Sequence, residues 1–127
     1  MRTARQARSR RRAHGFGLRA EAAALALLLC KGYRILARRY LAAGGEIDLI
    51  AARGSTIAFV EVKGRPAIDL ARTAITEEKR RRISRAAAHW IGRQRGVSGR
   101  NFRGDAIFVA PWGWPRHVAG AFELDIG

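Results

Sequence analysis

The chain has 127 residues, with 25 Lys and Arg against 10 Asp and Glu, for a formal charge of +15. That length suits one domain around one hydrophobic core, and 48% apolar residues exclude wholesale disorder. The charge exceeds the magnitude of about 2–8 usual for a small domain, so a polyanionic partner is the first expectation. Only Lys31, Lys63 and Lys79 are lysines; the other bases are arginines, whose planar fork grips phosphate through two N–H groups. A genome favouring Arg, Ala and Gly codons would give the same bias without any partner. The single cysteine, Cys30, excludes an internal disulfide framework and a zinc site built on several thiolates. Inside an apolar run it reads as a buried small hydrophobe.

Residues 1–13 are rich in arginine and read as a disordered basic arm, with a single domain over 14–127. Ser9-Arg10-Arg11 and the apolar run Ala22–Cys30 have a superficial likeness to an export signal. Ala13 and His14 follow where a twin-arginine signal needs Phe and Leu, and bulky Leu29 precedes Cys30 where a lipoprotein box needs a small residue. The run is also too short to span a bilayer. A cytoplasmic protein with no membrane partner is the expectation.

From Gly17 to about Lys31 the Ala- and Leu-rich chain predicts a helix, with Leu18, Ala22, Leu25 and Leu29 as its buried stripe and Gly32 as its stop. Alternation predicts a strand over Tyr33–Arg39, a turn at Ala43-Gly44-Gly45, a strand over Glu46–Ala52, a turn at Arg53-Gly54-Ser55 and a strand over Thr56–Lys63. Residues 67–75 read as a loop or ragged helix start. Thr76 is an N-cap, followed by Glu77 and Glu78 at the positive helix end, and Ile83, Ala87, Trp90 and Ile91 form the second apolar stripe. Gly96–Gly99 breaks this helix, and strands follow over Phe102–Val109 and Val118–Ile126. The order α-β-β-β-α-β-β predicts an α/β fold with a central mixed sheet flanked by helices.

Two acids stand out because the strands around them are apolar. A short loop between the second and third strands pairs Ala52 with Ile57, Ile50 with Phe59 and Asp48 with Glu61. Opposed residues share a face at about 4.5–5.5 Å between Cβ atoms. Glu61 and Lys63 also share a face, since side chains alternate along a strand. Asp48, Glu61 and Lys63 should therefore converge. Two carboxylates so close repel unless a positive charge lies between them. A hard divalent cation such as Mg²⁺, with Mn²⁺ as a substitute, fits that place, and the Val62 carbonyl offers a further ligand. Such an ion activates water for attack on a phosphodiester, with Lys63 orienting or deprotonating that water or offsetting phosphate charge. An exposed Glu61–Lys63 ion pair beside a solvated Asp48 explains the spacing equally well.

Gly45-Glu46-Ile47-Asp48-Leu49-Ile50 followed by Phe59-Val60-Glu61-Val62-Lys63 resembles the PD-(D/E)xK motif of the restriction-endonuclease-like superfamily, with Ile47 in place of the proline. With Gly17 and Glu21, Gly32-Tyr33, Ile35-Leu36, Arg65, Lys79 and Ala121-Phe122, the pattern is more similar still to the bacterial YraN family, which resembles archaeal Holliday-junction resolvases. The likeness spans roughly residues 15–124. Gly104 stands where relatives tend to carry Phe. The resemblance implies an α-β-β-β-α-β nuclease core in which Asp48 and Glu61 bind metal and Lys63 is the catalytic lysine. It also implies that Glu21 holds the metal through water.

Other candidates have two readings each. Glu46 shares a face with Asp48 and either reaches the metal or caps its turn. Lys79 either points at a phosphate or snorkels. Arg80, Arg81, Arg82 and Arg85 form a basic helix face that, with Arg34, Arg38 and Arg65, can track a phosphate backbone. His14, His89 and His117 are too dispersed to form a metal site. Trp112-Gly113-Trp114 reads as a packing lid, with base stacking as the alternative. The expected activity is Mg²⁺-dependent hydrolysis of phosphodiesters in DNA, rather than RNA, on branched or structured substrates. The alternatives are a non-catalytic nucleic-acid-binding module and an adaptor with a vestigial metal site. A homodimer is left open.

Overall fold

The computed structural model describes residues 4–64, 75–110 and 114–126, with side chains from Gly17 onward. Among these residues the elements run α1 (Ala4–Cys30), β1 (Arg34–Ala42), β2 (Gly45–Arg53), β3 (Thr56–Gly64), α2 (Glu77–Gly92), β4 (Asn101–Val109) and β5 (Arg116–Phe122). The strands form one sheet in the order β1-β2-β3-β4-β5. Neighbours are antiparallel except β3 and β4, which are parallel. A parallel pair needs a long crossover, and the segment carrying α2 supplies it. This is the predicted α-β-β-β-α-β core with one further strand.

Each helix covers one face. Ala20, Ala24 and Leu28 of α1 pack with Leu49, Ala51, Ala58, Val60 and Ile107. Ile83, Ala86, Ala87 and Trp90 of α2 pack with Ile50, Ala52, Ile57 and Phe59. Strand β3 is thus covered on both sides, which is why Ile57-Ala58-Phe59-Val60 is continuously apolar. The cap on α2 forms as predicted, with Thr76 Oγ1 accepting from Lys79 N–H at 3.1 Å.

Several expectations are corrected. α1 begins at Ala4, so residues 4–13 of the expected arm belong to the helix; Ala, Gln and Arg there are good helix formers. Its buried stripe is Ala20, Ala24 and Leu28, whereas Leu18 and Leu29 are 42% and 58% exposed. Small alanines let the backbone lie close to the sheet, and the larger leucines fall to the flanks. Cys30 is consequently exposed, not buried. β5 ends at Phe122, not Ile126. Beyond it Asp125 N–H donates to Ser84 Oγ of α2 at 2.9 Å, and Leu124 and Ile126 pack on the core beneath that helix. Trp114 is 92% exposed, while Trp112 and residues 67–74 of the expected loop or ragged helix start lie outside the described residues. Gly104 has a steric reason: a Cβ there would lie 2.5 Å from the Phe122 ring, which occupies the space. Among the described residues no helix is long and apolar enough to cross a membrane.

Candidate metal and nucleic-acid site

The β2–β3 ladder runs from Arg53 opposite Thr56 to Leu49 opposite Val60, the register counted from the sequence. Asp48 and Glu61 come next, and there the backbone pattern changes. The Val62 N–H donates to Asp48 Oδ2 at 2.7 Å. A side chain has replaced a strand carbonyl as acceptor, so Asp48 sits in a fork between the strands. Gly45 brings this end of β2 against α2: a Cβ at Gly45 would lie 2.0 Å from the Arg82 carbonyl oxygen.

Glu61 projects into the same fork from β3 and is 4% exposed. Burial, then the neighbouring Asp48 charge, raise its pKa from 4.5 to about 7, against the opposing pull of Lys79. The Asp48 charge is near enough to raise Glu61, so the two acids are neighbours in the fork. The ammonium beside them is a different one. Lys79 Nζ lies 3.0 Å from Glu61 Oε1. Burial pushes the Lys79 pKa down, but Glu61 above all, with Asp48 and Glu46, holds it above the ordinary value. Lys63 is half-buried and is not ion-paired to either acid. The sequence offered Lys79 as a phosphate contact or a snorkelling side chain; its partner is Glu61.

Asp48 also borders a cleft of about 460 Å³ lined by Glu21, Arg39, Glu46, Val62 and Gly64. Glu21 reaches this cleft from α1, but both its oxygens are engaged. Arg38 Nη2 lies 3.3 Å from Oε1 and Arg39 Nε 3.0 Å from Oε2. Arg39 adopts φ 50°, a conformation disfavoured for a bulky residue. Glu46 also borders a second cleft of about 490 Å³ that includes Lys79 and Arg82. Among the described residues no three Asp, Glu, His or Cys side chains gather as a metal cage. The fork therefore offers two carboxylates and a backbone carbonyl at most, with remaining positions left to water.

The basic candidates divide by partner. Arg80 pairs with Glu77, and its Nη1 donates to the Glu123 carbonyl at 3.3 Å. Arg82 pairs with Glu78 at 2.7 Å, and Arg81 with Glu77 at 3.6 Å. The first-turn acids of α2 thus engage the arginines that the sequence presented as an open basic face. Arg85 donates to the Ala43 carbonyl at 3.1 Å. Arg38 is held by Glu21, Arg34 is exposed, and Arg65 lies outside the described residues.

One polar cluster escaped the sequence. Asp105, fully buried in β4, accepts from Arg103 Nε at 2.7 Å and from Gly120 N–H at 3.0 Å, with His117 Nε2 at 2.8 Å. Burial pushes its pKa up, but bonds from His117, Arg103 and Gly120 outweigh this and hold it at about 2. Arg103 also donates to the Tyr33 hydroxyl at 2.7 Å. The available signal was Arg103 and Asp105 on one face of an otherwise apolar strand. His117 could not be matched to it without the β4–β5 pairing.

Fold and site together define a mixed α/β protein with a carboxylate pair in the fork of its central hairpin. Residues 20–109 match the family described as Uncharacterised protein family UPF0102. Curated relatives named UPF0102 protein include one from Methylorubrum extorquens, 59% identical with 91% of each chain covered. One from Methylobacterium nodulans is 57% identical, covering 94% of this chain and 92% of the relative. One from Methylocella silvestris is 55% identical, covering 97% and 99%. The chain belongs to the UPF0102 family, which is the YraN family.

Proposed function

We propose that the chain is a Mg²⁺-dependent endonuclease-fold protein that hydrolyses phosphodiesters in DNA, above all branched or structured DNA, in the cytoplasm. The observation that carries this reading is the meeting of Asp48 with the buried Glu61 at the fork between β2 and β3. Such a pair is held against its own repulsion, and added positive charge relieves it. Asp48, Glu61 and the Val62 carbonyl would hold Mg²⁺, or Mn²⁺ in its place, because Mg²⁺ needs only one or two carboxylates and retains several waters. When bound, the ion acts as a Lewis acid on the phosphoryl group and lowers the pKa of a coordinated water.

The protein's own groups do the rest. The Val62 N–H fixes the orientation of Asp48. Glu61 carries a proton in part of the population near neutral pH, so it becomes a full carboxylate as positive charge arrives. Lys63, two residues along β3, is assigned to orient or deprotonate the attacking water or to offset phosphate charge. Glu21, bordering the cleft beside Asp48, is assigned a water-mediated link to the ion. Arg34, Arg38 and Arg65 are assigned to the DNA backbone.

The test is incubation of purified protein with branched, nicked and linear DNA in Mg²⁺ or Mn²⁺. Cleavage that Asp48→Ala and Glu61→Ala each abolish is the expected result; cleavage indifferent to both substitutions would sink the reading. One observation favours the alternative of a non-catalytic nucleic-acid-binding module: Lys79 already lies 3.0 Å from Glu61 and supplies positive charge without an ion. Salt-sensitive DNA binding without cleavage by any form of the protein would establish that module instead.

A further inference from the structure

At the far end of α2 from Lys79 lies a pocket of about 290 Å³. Ala52, Ile57 and Trp90 form its apolar wall, and all three are buried. Arg34, Arg95 and Arg100 stand around this wall, and among the described residues no acid lines the pocket. Each arginine comes from a different segment. Arg34 is on edge strand β1 opposite Ala52, Arg95 follows α2, and Arg100 precedes β4. Arg100 Nη1 donates to the Gly54 carbonyl at 3.0 Å, which ties it to the β2–β3 turn.

Three guanidinium groups border this pocket with no acid beside them among the described residues. Arg38, Arg39, Arg80, Arg81, Arg82 and Arg103 all have carboxylate partners. Like charges around a low-dielectric wall focus the field and draw an anion into the recess. A guanidinium fork grips the paired oxygens of a phosphate through two N–H groups.

We infer that the Arg34, Arg95 and Arg100 pocket is a phosphate site for a DNA backbone, separate from the carboxylate fork. This deepens the proposed DNA reading and rests on it for the choice of ligand. The spacing fits one continuous strand. Ile57 and Glu61 are four residues apart on one face of β3, or about 13 Å. DNA advances about 3.4 Å of helix axis per base of each strand and winds as it does so, so fewer than about four steps separate a phosphate in the pocket from one at the acids. The DNA footprint therefore includes the end of the sheet carrying the β2–β3 turn, rather than the acid-paired arginines at the start of α2.

The test uses the full chain in EDTA, so that no divalent ion contributes. Binding of a fluorescein-labelled DNA duplex is followed by anisotropy across a salt series for wild type, Arg34→Gln, Arg95→Gln, the double variant and Arg116→Gln. Arg116 is exposed on β5, outside the pocket. Each lost phosphate contact should flatten the log–log salt slope by about 0.9. The two pocket variants should each flatten it, and the double variant by up to about 1.8, while Arg116→Gln leaves it near wild type. Equal slopes for all five proteins would overturn the pocket. Flattening confined to an RNA duplex of the same sequence would overturn DNA as its ligand. Failure of the cleavage reading has a different signature: no DNA cleavage in Mg²⁺, with the slope differences intact.

Discussion

Replacing Glu61 by Gln isolates the strain built into the fork. The folded protein holds a proton on Glu61 up to about pH 7, whereas the ordinary carboxyl releases it near 4.5. Between those values the native state binds more protons than the unfolded chain, so stability falls as pH rises through this window and levels off above it. At 1.36 kcal/mol per pH unit the difference is about 3 kcal/mol. Gln keeps the shape and cannot ionise, but it gives up the ion pair with Lys79, which is 44% exposed. Part of the gain is therefore returned, and E61Q should exceed wild type by about 1–3 kcal/mol at pH 8 without divalent ions. At pH 4.5 that advantage should vanish. Urea unfolding at pH 4.5, 6 and 8 in EDTA measures it, and the difference between the two proteins removes groups common to both. Adding Mg²⁺ at pH 8 should raise the midpoint of wild type but not of E61Q, because an ion that binds only the folded state stabilises it by mass action. Parallel stability curves across this pH range would refute the account of a buried acid strained by Asp48.

The Asp105 cluster should behave in the opposite sense. Its pKa is depressed from 3.8 to about 2, so it contributes stability above pH 3.8 that is lost as pH falls toward 2. Asp105→Asn should cost about 2–4 kcal/mol at pH 7, since Arg103 is left without its counter-charge, and should flatten the acid limb of the unfolding curve. An acid limb identical to wild type counts against that cluster as a source of stability. Gly45→Ala places a Cβ 2.0 Å from the Arg82 carbonyl oxygen, and the required shift should cost about 1–3 kcal/mol; an unchanged urea midpoint would show that β2 and α2 can separate there freely.

The legible parts of this fold were those set by local pattern. Strand alternation and the turn at Gly54 and Ser55 fixed the register that faces Ile50 with Phe59, which runs as far as Leu49 and Val60, the residues before Asp48 and Glu61. Thr76 announced its own cap. The stripe of α1 was not legible because Ala and Leu alternate too evenly for periodicity to choose a face; the packed sheet selects Ala20, Ala24 and Leu28. Nor could the sequence assign ammonium groups. Lys63 is the nearer lysine to Glu61 along the chain, but α2 crosses back over the sheet and delivers Lys79. Long-range placement likewise gave Asp105 its partner His117 and gave Glu21 two arginines.

The distribution of charge gives the fork its distinctive character. The protein carries fifteen more positive than negative charges, yet among the described residues the one base that pairs with a fork acid is Lys79. Arg39 borders the same cleft as Asp48, but its guanidinium is committed to Glu21. Glu21 thereby draws Arg38 and Arg39 toward α1, and Glu77 and Glu78 draw Arg80 and Arg82 to the exposed side of α2. Among the described residues Asp48 keeps only a backbone N–H and the adjoining Glu61. The result is a small anionic recess within a cationic surface. A phosphate backbone is attracted to the surrounding arginines, while the recess itself favours positive charge. Those opposing preferences are what the proposed cation-assisted reaction on phosphodiesters requires, in which the acids would hold the cation and the arginines the strand. Stripping Glu21 of its charge should therefore act at a distance: Glu21→Gln frees Arg39 to approach Asp48, and Mn²⁺ affinity measured by titration should fall although Asp48 and Glu61 are intact. Unchanged affinity would mean that Glu21 plays no part in keeping the recess anionic.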